Sequence, residues 1–109
     1  MITKVEKRDV FEAIADPTRR ELLHLLSETD ETPLYQLTVH FEIGRTAISK
    51  HLTILWEADL VKRRKIGRET RYKLNPFPLK EVKEWVTFYE GFWNERMNTL
   101  HQLLEDETK

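Results

Sequence analysis

With 109 residues, 39% of them apolar and 34% charged, the chain is sized for one domain with a packed core and a strongly polar surface. The absence of cysteine excludes disulfides, thiolate metal sites and cysteine nucleophiles, and apolar runs of only a few residues, as at Leu22-Leu23, exclude a membrane-spanning helix. The net charge of −1 conceals a partition: residues 1–44 are net −4, residues 45–73 hold nine basic against three acidic side chains for +6, and residues 74–109 are net −3.

A basic block between acidic flanks fits a polyanion-binding face, and equally fits a solvated basic strand pair. The first residues, Met1-Ile2-Thr3-Lys4-Val5-Glu6, turn charged at once and hold no apolar signal core, so a cytoplasmic location is expected. Val5, Val10, Phe11 and Ile14 have near-helical spacing and predict a first helix ending near Ala15. Asp16-Pro17 restarts the chain with a strong N-cap followed by a proline tolerated at the first helical position. Leu22, Leu23, Leu25 and Leu26 make this second helix a buried one, running to about Ser27, with Glu28 to Glu31 as a polar loop.

Thr32-Pro33 repeats the cap signal, and Leu34, Leu37 and Phe41 predict a short third helix with Val39 at its edge. Glu42-Ile43-Gly44 breaks it. Ala47, Ile48, Leu52 and Leu55 mark a fourth helix over 45–58, with Trp56 near its end. Two short helices joined by a Gly-containing break are a helix-turn-helix signature. Residues 60–74 then read as a hairpin turning at Gly67-Arg68, with Thr70, Tyr72 and Leu74 on one face and Arg71 and Lys73 on the other. A basic hairpin directly after a helix-turn-helix reads as a wing. Asn75-Pro76-Phe77-Pro78 ends it, and a long last helix is expected over about 79–104.

The fourth helix has chemistry suited to the major groove of double-stranded DNA. Arg45 suits bidentate pairing with guanine. Thr46 and Ser49 suit bases or phosphates, Ala47 a thymine methyl, and Lys50 and His51 phosphate. Ile48, Leu52 and Leu55 form the opposite, inward stripe. Arg64, Arg68 and Arg71 bracket the glycine turn and are placed for backbone or minor-groove contact. The plainer alternative is an ordinary amphipathic surface helix.

At this point the residues resemble a known family. Asp16-Pro17-Thr18-Arg19-Arg20-Glu21-Leu22-Leu23, Ala47-Ile48-Ser49-Lys50-His51-Leu52, Leu60-Val61, and Gly67-Arg68-Glu69 with Arg71-Tyr72-Lys73-Leu74 are similar to the ArsR (arsenical-resistance repressor) family. The resemblance runs over roughly residues 8–104. It implies a dimeric winged-helix repressor that releases DNA on a signal, with DNA contacts from the Arg45–His51 segment and the wing. Gly44 departs from the pattern, because many relatives carry a serine N-cap there; glycine still caps acceptably.

Thiolate-sensing relatives carry a C-x-C pair that would fall on Pro33 and Tyr35, neither a soft ligand. Others bind metal through the last helix, where His101 and Glu105 share a face but make only half a site. His24 and His40 read as helix-flank residues. No metal and no cofactor is expected, and any small-molecule effector is left unidentified.

The last helix places Trp85, Tyr89, Phe92 and Trp93 in an aromatic band too large for one small winged domain to cover. The expected partner is a second copy. Val10, Phe11 and Ile14 of the first helix and Trp85, Tyr89, Phe92, Trp93 and Leu100 of the last would form the interface; a ligand pocket between the rings is the rival reading. No nucleophile elbow, phosphate loop or HExxH segment is present, and Ser49 and His51, two apart on a helix, point different ways, so an enzyme is not expected.

The sequence therefore predicts a mainly α (α+β) winged helix-turn-helix of order α-α-α-α-β-β-α, one domain over 1–109 with a C-terminal dimerisation helix. Its expected activity is sequence-specific binding to an imperfect inverted repeat in double-stranded DNA, as a homodimer with no membrane association. The alternative is a winged-helix module for protein–protein or RNA contact, which would be expected to lack the basic block.

Overall fold

The computed structural model describes residues 7–108. Its elements are α1 (Val10–Ala13), α2 (Pro17–Ser27), β1 (Thr32–Pro33), α3 (Leu34–Thr38), α4 (Arg45–Glu57), β2 (Val61–Ile66), β3 (Glu69–Leu74) and α5 (Leu79–Thr108). They fall into two units, one ending at Leu79 and one comprising the rest of α5.

α1 is one turn long. Asp9 caps it by accepting from the Glu12 amide, and the chain leaves helical geometry at Ile14. The expected continuation to Ala15 fails because Pro17 disfavours helical geometry in the residue before it, and Asp16 is extended at φ −106, ψ 133. Val5, the proposed start of this helix, lies outside the described residues. α2 begins and ends where the sequence signals place it. The Asp16 side chain accepts from the Arg19 amide, and Pro17 occupies the first turn, where its missing N–H is no loss.

Thr32-Pro33 is a correction to the sequence reading. These residues are not a helix cap but a short edge strand, antiparallel to β3 with Thr32 opposite Tyr72 and Pro33 opposite Arg71. The Thr32 hydroxyl bonds that of Thr29, 2.7 Å away, and is buried. The sheet is three-stranded, in the order β1-β3-β2, so the predicted element order gains a strand. α3 also stops at Thr38, short of Phe41, and Val39 is 78% exposed.

α4 ends in a left-handed cap. Asp59 has φ 61, the Leu60 amide bonds the Leu55 carbonyl at 2.9 Å, and the Asp59 amide bonds that of Trp56 at 3.0 Å. These are the paired bonds of a Schellman motif, and they turn the chain directly into β2. Leu55 and Leu60, the apolar pair of that motif, are fully buried. The core of this unit draws on every element up to β3: Val10 and Ala13, Leu22 and Leu26, Leu34 and Leu37, Ile48, Leu52 and Leu55, and Val61 and Tyr72.

α5 is a single helix of 30 residues, four longer at its C-terminus than expected. Along it Trp85, Phe88, Tyr89, Phe92, Trp93, Met97, Leu100, Leu103 and Leu104 are exposed. Trp85 and Phe88 each meet Tyr89 edge to face, with centroids 5.3 and 5.0 Å apart.

Candidate nucleic-acid interface

The helix-turn-helix lies in α3, the Gly44 break and α4. Gly44 is extended and offers no side-chain cap, so the first turn of α4 opens on the Gly44 carbonyl, which accepts from the Ile48 amide. Ile48, Leu52 and Leu55 are fully buried, which fixes the opposite face of α4 outward. On that face Thr46 and Lys50 are exposed, Arg45 is exposed as the first residue of the helix, and Ala47, Ser49 and His51 on the flanks are half-buried.

The hairpin beside α4 closes with Ile66 opposite Glu69, leaving Gly67-Arg68 as a two-residue turn. Gly67 has φ +61 and Arg68 does not share the positive value, the pattern of a type II′ turn. The register divides the wing's cations between two faces. Arg63 is opposite Tyr72 and Lys65 opposite Thr70, on the face whose Val61 and Tyr72 are buried. The guanidinium of Arg63 sits 3.7 Å from the ring centre of Trp56, a cation–π contact between wing and α4. Ser49 of α4 and Arg63, Arg64, Lys65, Thr70 and Tyr72 of the wing line one open cleft of about 390 Å³.

Lys62 opposite Lys73 and Arg64 opposite Arg71 occupy the other face. Two of the three wing residues singled out from sequence are engaged there. Arg64 pairs with Glu31, and Arg71 with Glu69 at 3.1 Å, while Arg68 is exposed at the turn. Sequence reasoning missed Arg63, Lys65 and Thr70. Parity would have found them, since Arg63 and Lys65 alternate in step with Val61. Nothing local to the hairpin marks Glu31 as a partner.

The junction before α2 reaches α4 through Arg19. Its Nε donates to the Ala13 carbonyl at 2.7 Å, and its Nη1 lies 3.2 Å from His51 Nδ1. A guanidinium has no acceptor, so in this contact Nδ1 of His51 accepts and the ring proton sits on Nε2. Asp16 Oδ2 lies 3.9 Å from the same Nδ1. Burial acts to raise the Asp16 pKa, but hydrogen bonding from the Arg19 amide and the charge of the Arg19 guanidinium oppose it, and the carboxyl lies below its ordinary 3.8. The two segments that carry the family resemblance thus meet in space: Arg19 of the first holds His51 of the second.

The interface residues proposed from sequence divide by exposure. Val10 is 1% exposed and belongs to the core, so it has no surface to offer a partner, which corrects its assignment. Phe11 and Ile14 are half-buried, and Trp85, Tyr89, Phe92, Trp93 and Leu100 are exposed. Among the described residues no helix is long and apolar enough to cross a membrane.

A short α3, a glycine break, an α4 with an outward polar face and an adjoining basic hairpin define a winged helix-turn-helix DNA-binding regulator. Residues 16–63 match the family described as bacterial regulatory protein, arsR family. The chain is 38% identical over 78 residues to the transcriptional repressor SdpR of Bacillus subtilis (strain 168), covering 72% of this chain and 86% of that protein. Its fold is similar to the crystal structure of an ArsR family transcriptional regulator, with a TM-score of 0.71 at 27% identity over 79% of this chain and 88% of the other. An ArsR-like transcriptional regulator from Rhodococcus sp. RHA1 gives 0.68 at 31% identity, over 90% and 89%. The chain belongs to the bacterial ArsR family of transcriptional regulators.

Proposed function

We propose that the protein is a homodimeric repressor that binds an imperfect inverted repeat in double-stranded DNA, with α4 in the major groove and the wing against the flanking backbone. The observation that carries this reading is the cleft lined by Ser49 and the wing, on the helix that also exposes Arg45, Thr46 and Lys50. Arg45, Thr46, Ala47 and Ser49 read base edges, and Lys50 holds phosphate. His51, with Nδ1 taken by Arg19, retains its Nε2–H as a donor to phosphate. Arg68 contacts backbone from the wing tip, and Arg71 reaches it by exchanging Glu69 for phosphate, while Arg64 beside it is held by Glu31. The aromatic face of α5 packs on a second copy, with Phe11 and Ile14 as further contact surface. The reading includes no catalysis, metal or cofactor, and the site of action is the cytoplasm. A repressive role is supported by the likeness to the repressor SdpR. No observation favours protein–protein or RNA contact instead.

Gel-shift titration against an operator selected from random duplexes tests the reading. Arg45→Ala should weaken the selected operator by about 1–3 kcal/mol and relax base preference, because it removes a bidentate base contact. Lys50→Ala should weaken all sequences about equally. Wild-type binding by both variants would remove α4 from the groove.

A further inference from the structure

The outer face of the wing stacks four cations, Lys62 opposite Lys73 and Arg64 opposite Arg71. Like charges so placed repel. Acids from the loop before β1 meet two of them. Arg64 donates from Nε to Glu31 Oε2 at 2.6 Å and from Nη2 to Glu31 Oε1 at 2.8 Å, a two-pronged pair. Lys73 Nζ lies 3.3 Å from Asp30 Oδ1. Glu31 is held below its ordinary 4.5, first by the hydrogen bonds from Arg64 working against desolvation, with the charges of Arg64, Arg71 and Lys73 adding to them, so it is ionised at neutral pH.

Two parallel N–H···O bonds to neighbouring oxygens are also how a guanidinium grips phosphate. We infer that Glu31 is an affinity-limiting residue: its carboxylate occupies the fork of Arg64 that a DNA phosphate would otherwise take, and so holds down binding to DNA of any sequence. The inference rests on the DNA-binding reading above. Binding without sequence preference comes almost entirely from phosphate neutralisation, whereas base reading by α4 does not pass through Arg64. Withholding one phosphate-binding cation per protomer therefore lowers affinity for operator and random DNA by about the same factor. Arg64 is 65% exposed and Glu31 21%, so the guanidinium lies at the surface where a phosphate would meet it.

The test is fluorescence anisotropy of a labelled random-sequence duplex and of the selected operator, titrated over a series of salt concentrations. Glu31→Gln should bind the random duplex more tightly than wild type, with the slope of log affinity against log salt steeper by about 0.9 per protomer. For a dimer the gain should then shrink roughly sixtyfold for each tenfold rise in salt. Operator affinity should rise by about the same factor, leaving the ratio of operator to random affinity unchanged. Glu31→Ala is the second variant and should behave alike, with thermal melts confirming that both fold. In the double variant Glu31→Gln/Arg64→Gln the gain should vanish. A gain of the same size in the Arg64→Gln background would show that removing any nearby negative charge suffices, and would overturn the inference; so would an unchanged slope in Glu31→Gln and Glu31→Ala. Failure of wild type and variants alike to bind either duplex at low salt would instead overturn the DNA-binding reading.

Discussion

Asp16 shows how one side chain serves both local structure and the interface. Its carboxylate caps α2 through the Arg19 amide at 3.1 Å and faces His51 of α4 across 3.9 Å. Asp16→Ala should cost about 0.5–2 kcal/mol in urea unfolding at neutral pH, the usual loss for a removed cap. Asp16→Asn should recover most of that, because asparagine caps as well as aspartate. The pH dependence separates cap from charge. The folded pKa lies below 3.8, so the stabilisation by the charged form is complete well above that value and is lost as pH falls through the folded pKa. The stability gap between wild type and Asp16→Asn should therefore narrow as pH drops below about 5. A gap that stays constant from neutral to strongly acid pH would mean that the charge does no work.

At the scale of the element, the wing depends on its turn. Gly67 has φ +61, and a Cβ built there meets nothing within 4 Å, so a substitution meets backbone strain without a clash. Gly67→Ala should destabilise by roughly 1–2 kcal/mol, and Gly67→Asn by less, since asparagine tolerates the left-handed region. Urea midpoints of the two variants check this; equal losses would mean that the turn is not what limits residue choice. The division of the wing's cations has the same origin as its register. Arg63 and Lys65 follow Val61 towards α4, while Arg64 is turned to the opposite face, where Glu31 meets it.

At the scale of the whole molecule, the proposed dimer is argued from the exposed aromatic residues of α5. Trp85, Phe92 and Trp93 are each more than half exposed. Large exposed apolar faces of this kind mark interfaces, and buried aromatic residues dominate their energetics. The expected species in light scattering at micromolar concentration is therefore twice the 13.1 kDa of one chain. Trp93→Glu should place an unpaired charge in the contact and shift the mass to that of one chain. Its operator affinity should fall steeply, since two half-sites then bind independently. A wild-type mass of one chain would refute the dimer.

Much of the fold was legible because its signals are local. Asp16-Pro17 starts α2, the Ile48, Leu52 and Leu55 stripe turns α4, and Gly67 folds the hairpin, each through residues a few positions apart. Those features sufficed for the winged helix-turn-helix and for the outward residues Thr46 and Lys50. What tertiary structure alone decided are pairings between distant residues. Thr32-Pro33 is a strand only because Tyr72 and Arg71 lie opposite it. His51 is held by Arg19, 32 positions earlier, and Arg64 is gripped by Glu31, 33 positions earlier. Helix caps and periodicity act through neighbours along the chain. Strand partners and ion pairs are set by which residues the folded backbone brings together, and no short stretch of sequence encodes that.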